Sequence, residues 1–374
     1  MKNFDIVIIG AGCSGLSLAY RLIDSSYKVC VIENTSRENR IRKTWSYWNT
    51  YSHPFRHLEM KPNRQLQIKN IENIILDCKD YNYCSIDSYD FDEHVFSKID
   101  SSTNVEINFK NSISDITELK DGFSLKTIND DEHLKAQYIF DSRPNRTHAH
   151  MKQVFKGIFV EFDEELNNFI PSLMDFSNKS EFHFMYSLPI SKNQYLFEST
   201  YYTSSKIDEV KMTDEVHAYI KDKYDIQYSV IREEYGEIPL STNVNLNDKH
   251  SKIINIGIPA GSTRASTGYT FLNIQKQSDE YIKMLNGEKF IEYPKTLKNK
   301  ILRKMDNLLL MIIRDEPLKS MNILFTMFKK NTNNRTIRFL SDIPTMVDIL
   351  CIIWSMPKLL FIKYAIKSIT TRKV

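Results

Sequence analysis

Residues 5–33 read D-I-V-I-I-G-A-G-C-S-G-L-S-L-A-Y-R-L-I-D-S-S-Y-K-V-C-V-I-E, and this stretch decides the fold. Ile6–Ile9 are consecutive apolar residues, mostly β-branched, which predicts a parallel strand buried on both faces. Apolar residues from Leu16 to Ile23 then recur at helical intervals. Val29–Ile32 predicts a second buried strand. The stretch therefore predicts a strand–helix–strand unit of an α/β protein.

Three glycines at G-x-G-x-x-G spacing mark the turn between the first strand and the helix. Gly10 allows the tight turn, Gly12 together with Ala11 lets the backbone approach a pyrophosphate, and Gly15 lets the helix pack on its strand. Glu33, at the end of the second strand, is placed to accept hydrogen bonds from ribose hydroxyls. The pattern predicts a dinucleotide site, with a ligand-free glycine-rich turn as the alternative, and it does not separate FAD from NAD(P).

Composition excludes several other classes of protein. The chain has 374 residues, 41% of them apolar and 26% charged, and a formal net charge of +3, which gives no indication of nucleic-acid binding. The five cysteines form no C-x-x-C pair, and the nine histidines show no metal-ligand spacing. Free thiols and an N-terminus that runs directly into a strand lead us to expect a cytoplasmic protein without a signal peptide.

The rest of the chain predicts how the domains are arranged. Strands at residues 105–109 and 123–128, read as a hairpin, precede an apolar strand that ends in D-S-R-P at residues 141–144. This order suits a two-dinucleotide-binding flavoprotein better than a plain NAD dehydrogenase. Residues 153–235 show alternating strand patterns, which predict an inserted antiparallel substrate sheet. A strand at residues 253–256 leads into a second glycine-marked turn, where Gly261, Thr267 and Gly268 can offer backbone N–H groups to a cofactor.

Helices with large apolar faces are predicted beyond residue 293. Between residue 319 and the C-terminus there are ten Lys or Arg residues and two Asp residues, a local charge of +8. Apolar helices with a basic excess fit a face that rests on anionic lipid, and a solvated helical cap is the alternative. The apolar segment at 349–356 is too short to span a bilayer.

Glu198 is the candidate acid. It lies in the predicted strand Gln194–Thr203 among tyrosines (Tyr195, Tyr201 and Tyr202), and the alternation of a strand places it on the same face as Leu196 and Thr200. Desolvation on a partly apolar face favours the neutral carboxyl that a proton donor needs. A solvent-facing structural glutamate is the alternative.

Six motifs, in one order, resemble the bacterial lycopene cyclase family. They are R-K-T-W-S-Y-W (42–48), D-S-R-P (141–144), F-M-Y-S-L-P (184–189), L-F-E-S-T-Y-Y (196–202), R-E-E-Y-G-E-I-P-L (232–240) and A-G-S-T-R-A-S-T-G-Y (260–269). The resemblance implies the FAD-dependent monooxygenase type of fold, reduced FAD, and NAD(P)H as its reductant. It implies a linear C40 polyene cyclised at its ends without net redox change. Glu198 matches the family's essential acid.

The resemblance also completes the predicted site and the division into domains. Arg42 and Asp141 join Gly10, Ala11, Gly12, Gly15, Glu33, Gly261, Thr267 and Gly268 as predicted cofactor-binding residues. The FAD-binding domain is discontinuous, with residues 1–80, 90–150 and 250–290. Residues 151–249, with part of 50–90, form the substrate-binding sheet, and residues 291–374 form a helical, membrane-facing region.

Four positions depart from the family pattern. The D-S-R-P motif carries Ser142 and Pro144 where relatives usually have glycine. Ala265 stands where relatives tend to have proline, and Ser199 where an acidic residue is common.

The sequence as a whole predicts a cyclase that converts lycopene to β-carotene through γ-carotene, associated peripherally with the inner face of the membrane. An FAD-dependent hydroxylase and an isoprenoid-chain reductase acting on an apolar substrate are the alternatives. Glu198 distinguishes them, because hydroxylation and reduction need no strong acid in the substrate sheet.

Overall fold

The computed structural model describes residues 2–129, 133–144, 151–176, 181–242, 251–290 and 297–370. The strands are β1 (Lys2–Asn3), β2 (Ile6–Ile9), β3 (Val29–Ile32), β4 (Thr44–Trp48), β5 (Gln65–Lys69), β6 (Asn73–Asp77), β7 (Tyr83–Asp87), β8 (Val105–Asn108), β9 (Ile113–Leu119), β10 (Gly122–Thr127), β11 (His133–Ala136), β12 (Tyr138–Asp141), β13 (Met151–Phe162), β14 (Ser172–Asp175), β15 (His183–Pro189), β16 (Gln194–Thr203), β17 (Tyr228–Leu240) and β18 (Ile253–Asn255). The helices are α1 (Cys13–Leu22), α2 (Ser88–Asp100), α3 (Glu209–Lys223), α4 (Phe271–Leu285), α5 (Leu297–Asp315), α6 (Pro317–Lys330), α7 (Asn333–Leu340), α8 (Met346–Ser355) and α9 (Lys358–Thr370), with 3-10 turns at Arg56–Leu58 and Ile258–Ala260.

A five-stranded parallel sheet in the order β18-β12-β2-β3-β8 carries the predicted strand–helix–strand unit. Both β2 and β3 are buried along their whole length, as predicted. Ile6 and Ile8 pack towards α1, α2 and α4, while Val7 and Ile9 pack towards a four-stranded sheet on the other face. Both glycine-marked turns leave this one sheet, so a second dinucleotide-binding sheet, implied by the two-dinucleotide interpretation, is not seen among the described residues.

The four-stranded sheet has the order β1-β11-β10-β9 and corrects the predicted hairpin. β8 pairs parallel with β3, and β10 pairs antiparallel with β9 and with β11. The segment I-S-D-I-T-E-L of β9 is mostly exposed and carries charged side chains, so its sequence resembles an acidic turn. The partner of β10 was therefore assigned to the wrong segment.

The predicted inserted sheet is seen as a seven-stranded sheet in the order β17-β13-β16-β15-β14-β5-β6, and its role in substrate binding stays a prediction. Its pairs are antiparallel except for β14 with β5. Residues of one face pack with α3, and residues of the other pack with α5–α9. Strands β5 and β6 come from residues 50–90, so an N-terminal excursion contributes to the sheet.

Helix α2 begins directly after Asp87, its N-cap. The Asp87 side chain accepts a hydrogen bond of 2.9 Å from the Tyr89 amide. Asp90 lies in the first turn, where its charge is also favourable.

The C-terminal region is helical, as predicted, and its last two helices are α8 and α9. Pro357 separates α8 from α9, and the two helices are bent by 107°. Within the described ranges, no single helix is long and apolar enough to cross a bilayer; the bent pair meets that test only when its two parts are taken together. Arg372 and Lys373, which contribute to the predicted basic excess, lie outside the described residues.

Candidate functional site

The first glycine turn has the geometry that a dinucleotide needs. Gly10 has a φ of +96°, and a Cβ placed on Gly15 would lie 1.9 Å from the Gly10 carbonyl oxygen. At Gly12, by contrast, no described atom lies within 4 Å of the position of a Cβ. Gly10 and Gly15 are therefore required by the fold itself, whereas Gly12 leaves open space above the N-terminus of α1, where an anion is favoured.

Glu33 organises the same turn. Its carboxylate accepts hydrogen bonds from the Ala11 amide (2.7 Å), the Thr35 amide (2.9 Å) and the Thr35 hydroxyl (2.8 Å). Burial acts to raise the pKa of Glu33, but the hydrogen bonds from Thr35 and Ala11 outweigh it, so the pKa lies below its ordinary value. An ionised carboxylate has about four acceptor positions, so capacity remains for a ribose hydroxyl.

The second glycine turn is closed by its own hydrogen bonds. Gly261 and Gly268 both have positive φ, 77° and 71°. The Gly261 amide donates to Ile258 O, while the amides of Thr267 and Gly268 both donate to Arg264 O. Their N–H groups are thus engaged inside the turn, and cofactor binding by these three residues stays a prediction.

A buried amide oxygen lies beside this turn. Gln153 Oε1 on β13 has no hydrogen-bond partner in the part of the chain that the structure describes, and a Cβ on Gly268 would come within 2.4 Å of it. A buried unsatisfied acceptor costs about 1–3 kcal/mol, so a donor from a bound group would satisfy it.

Arg42 and Asp141, also predicted to contact the cofactor, are engaged in ion pairs. Arg42 Nε donates to both carboxylate oxygens of Asp87 (2.8 and 2.9 Å), and Asp141 pairs with Arg143 at 2.6 Å. Their cofactor role stays a prediction. Trp45, next to Arg42 in the motif, packs on Phe91 and Phe271.

Glu198 lies at the centre of the substrate sheet. It pairs in register with Gly157 on β13 and Tyr186 on β15. Its side chain is buried, and Oε1 accepts a hydrogen bond of 2.5 Å from the Thr200 hydroxyl. Burial, followed by the charge of Glu234, raises the pKa of Glu198 to about 8. A protonated carboxyl at neutral pH, as predicted, is what this environment favours.

The tyrosines around Glu198 differ in part from those expected. Tyr202 is on its face, but Tyr195 and Tyr201 point to the opposite face, where they pack near α3. The Tyr186 and Tyr83 hydroxyls are 3.1 Å apart. Tyr83 comes from β7, which is not part of the sheet that carries Glu198, so the alternation of β16 could not predict its position. Tyr269 lies next to Tyr83.

The departure at Ser199 has a structural explanation on that opposite face. The Ser199 hydroxyl donates to Glu215 at 2.7 Å and lies 2.9 Å from His183 Nε2. Helix α3 thus supplies the carboxylate that this strand position lacks. His183 is buried, and burial lowers its pKa to about 4.

A second buried carboxyl, on β17, was not found from the sequence. Glu234 pairs in register with Gly157, so Gly157 lies between Glu198 and Glu234 in one row across the sheet. Glu234 Oε2 accepts a hydrogen bond of 3.2 Å from Arg232, and burial raises its pKa to about 7 although Arg232 acts to lower it. The motif R-E-E-Y-G contains Glu234, but only the strand register shows that Glu234 lies in the same row as Glu198.

An apolar cavity lies between β14, the second glycine turn and the C-terminal helices. Tyr269 lines it, as do Met356 and Phe361, on either side of the α8–α9 corner. The other lining residues are Leu173, Met174, Ser266, Thr267, Met305, Asp306, Leu309, Ile323, Leu324, Met327, Phe328, Phe339, Leu340 and Ile352. The lining is mostly apolar, which suits an apolar ligand.

Solved structures of flavoproteins share the overall fold of this chain. A geranylgeranyl bacteriochlorophyll reductase-like protein from Thermoplasma acidophilum matches with a TM-score of 0.64 and 11% identity over 97% of this chain and 98% of its own. A flavoprotein/dehydrogenase from Cytophaga hutchinsonii matches at 0.65 and 11%, over 98% and 100%. The p-nitrophenol 4-monooxygenase from Pseudomonas putida matches at 0.60 and 14%, over 97% and 98%. The chain therefore has the fold of FAD-dependent monooxygenases and reductases.

A search of curated protein sequences gave no match. The family model described as lycopene cyclase protein matches residues 5–365, and the chain belongs to the lycopene cyclase family. The family resemblance of the six sequence motifs is thereby confirmed.

Proposed function

We propose that this protein is a carotenoid end-group cyclase that converts lycopene to β-carotene through γ-carotene. The observation that carries the proposal is Glu198, a buried carboxyl whose pKa is raised to about 8 on an aromatic face of the substrate sheet. Family membership supports the substrate class, and the apolar cavity supports an apolar ligand.

Glu198 supplies the proton in the proposed reaction. Its proton adds to the terminal double bond of the polyene, and the tertiary cation that forms is attacked by the neighbouring double bond. A proton then leaves the new ring, so substrate and product are isomers. Tyr83 and Tyr202, which are buried, and Tyr186, which is partly buried, surround Glu198. They limit the access of water and present aromatic surface, which favours a cation.

We infer that the dinucleotide is FAD, required in its reduced form, with NAD(P)H as the reductant. Gly10, Ala11, Gly12 and Gly15 would hold its pyrophosphate and Glu33 its ribose. The open space above Gly12, the ionised Glu33 and the unsatisfied Gln153 Oε1 fit such a group. Reduced, anionic FAD would supply negative charge that stabilises a carbocation.

We further propose that α8 and α9 rest on the inner face of the membrane in the cytoplasm. Trp354 and Leu359, at the α8–α9 corner, are 76% and 86% exposed, and Lys358 Nζ lies 3.5 Å from the centre of the Trp354 ring. Large exposed apolar side chains continue along both helices: Met346, Val347, Leu350, Ile353, Ile362, Ile366 and Ile369. A group of large exposed apolar side chains of this kind typically marks an interaction site.

The decisive experiment is expression of the chain in a lycopene-producing bacterium, followed by chromatography and mass spectrometry of the pigments. A cyclase gives products of unchanged mass with the absorption of β- and γ-carotene. A hydroxylase would add an oxygen atom and a reductase two hydrogen atoms, so either change in mass would contradict the proposal.

A further inference from the structure

We propose that Glu234 is a positioning residue for Glu198, because its carboxylate, placed across Gly157, keeps the Glu198 carboxyl protonated by like-charge repulsion. The inference rests on the proposed role of Glu198 as the acid. It adds a second carboxyl, from a different strand, to the machinery of proton donation.

The strand register brings the two carboxyls together. Residues directly opposite one another on antiparallel strands project to the same face of a sheet, and Gly157 is opposite both Glu198 and Glu234. Because Gly157 has no side chain, the space above it is occupied from both sides. A Cβ there would lie 3.0 Å from Glu234 Cγ and 2.9 Å from Leu196 Cδ1. Glu234 therefore extends over Gly157, the residue that separates it from Glu198 in the row.

The charged neighbours of the two groups differ. Glu198 accepts a hydrogen bond from Thr200 and lies near Tyr83, Tyr186 and Tyr202, and Glu234 is the charged group of the described residues that acts on it. Glu234 faces the cation of Arg232, which stacks on Phe159 and also contacts Asp87 at 3.4 Å, and it feels the charges of Asp87 and Lys43.

This difference in neighbouring charges determines which of the two carboxyls keeps its proton. Arg232 favours the ionised form of Glu234, while Glu198 has no cation beside it among the groups named. Glu234 consequently loses its proton first, and the resulting charge makes ionisation of Glu198 more costly. Near neutral pH, one carboxylate and one carboxyl coexist, and the carboxyl is Glu198, beside the tyrosines.

The test follows the protonated carboxyl of Glu198 directly. In the purified protein, infrared spectroscopy detects the carbonyl stretch of a protonated carboxyl, and Glu198→Gln identifies the band by its loss. In Glu234→Gln, we expect this band to disappear at a pH about one unit lower, because the repelling charge is gone. The alkaline limit of cyclisation should move down by the same amount.

Glu233→Gln is the matched control. Glu233 is the next residue on β17, points to the opposite face and pairs with Lys156 at 2.6 Å, so its removal changes the charge of the protein equally without touching Glu198. Glu234→Asp keeps the charge and should leave the Glu198 band close to its wild-type position, which also serves if Glu234→Gln fails to fold.

A downward shift in Glu234→Gln that is absent in Glu233→Gln and Glu234→Asp supports the inference. An unmoved infrared titration overturns it, as does a loss of activity that is uniform across pH. Because the infrared signal needs no turnover, a protein that makes no cyclic pigment would contradict the proposed function and still leave this inference open to the same measurement.

Discussion

The Glu33 carboxylate accepts a hydrogen bond of 2.7 Å from the amide of Ala11, twenty-two residues earlier in the chain. The end of β3 is thereby fixed to the turn after β2. In the sequence motif, the glycine turn and the acid are related only by their spacing, whereas in the structure they form one hydrogen-bonded unit. The stability of this unit and its ability to bind a dinucleotide can be tested separately.

Substitutions at Gly12 and Gly15 should affect different properties of the protein, FAD binding at Gly12 and stability at Gly15. In Gly12→Val, the side chain points into open space, so we expect a thermal midpoint near that of the wild-type apoprotein and a large loss of bound FAD. In Gly15→Ala, the methyl group meets the Gly10 carbonyl, and we expect a loss of about 2 kcal/mol or more in the free energy of unfolding. Thermal denaturation and flavin absorbance measure the two effects. Equal flavin content in Gly12→Val and wild type would contradict the proposed site.

Glu198→Gln should abolish cyclisation while FAD still binds. The amide keeps the shape of the side chain and can still accept the Thr200 hydrogen bond, but it has no acidic proton to donate. Pigment analysis in a lycopene-accumulating host measures the result, with Glu233→Gln as the control for expression. Substantial β-carotene from Glu198→Gln would show that another group is the acid.

The same substitution should stabilise the protein at alkaline pH. The folded-state pKa of Glu198, about 8, is above the ordinary value of 4.5, so wild-type stability falls as pH rises between these values. The Gln variant does not undergo this loss. At pH 9 we expect it to be more stable by a few kcal/mol, since one pKa unit corresponds to about 1.4 kcal/mol, and at pH 4 the two should be similar. Urea unfolding at both values checks the sign.

Arg264 should be essential for seating the second glycine turn. Its guanidinium contacts Asp306 on α5 at 3.2 Å and Asp342 at 3.4 Å, and both members of the Arg264–Asp306 pair are buried. Burial raises the pKa of Asp306, although Arg264 and Ser266 oppose this. Arg264→Leu leaves buried carboxyls without their cation, which costs about 3–5 kcal/mol. Chemical denaturation measures the loss, and Lys304→Ala, on the exposed side of α5, should change little.

Membrane contact should depend on the apolar corner between α8 and α9. Lys363 and Lys367 already pair with Glu316 (3.4 Å) and Asp315 (2.6 Å), so substituting them would also break ion pairs within the protein. Substitution of exposed apolar side chains therefore tests membrane contact more directly. We expect Trp354→Ser with Leu359→Ser to release the protein from vesicles of anionic phospholipid in a flotation assay. Ile128→Ser, an exposed apolar site outside the C-terminal helices, is the control. Unchanged flotation of the double variant would exclude this face.

The sequence predicted most of what depends on local pattern. Ile6–Ile9 and Val29–Ile32 were recognisable because strands buried on both faces are apolar throughout. The strand Gln194–Thr203, which carries Glu198, was predicted with its bounds, and the role of Glu198 as the acid stays a prediction. Partners distant in the chain were not predictable. Strand β9 was missed because only Ile113 of its seven residues is buried, and Glu234 and Tyr83 meet the neighbourhood of Glu198 only through pairing and packing of separate strands.

The parallel sheet also has a consequence for biosynthesis. Strand β2 lies beside β12, which lies beside β18, and Ser17 on α1 is held by Gln275 on α4, 258 residues away. Contacts so remote in sequence form slowly, because a long loop must be closed first. The dinucleotide-binding layer cannot be completed on the ribosome until three quarters of the chain has emerged, and until then the apolar strands of its N-terminal third have only part of their native neighbours.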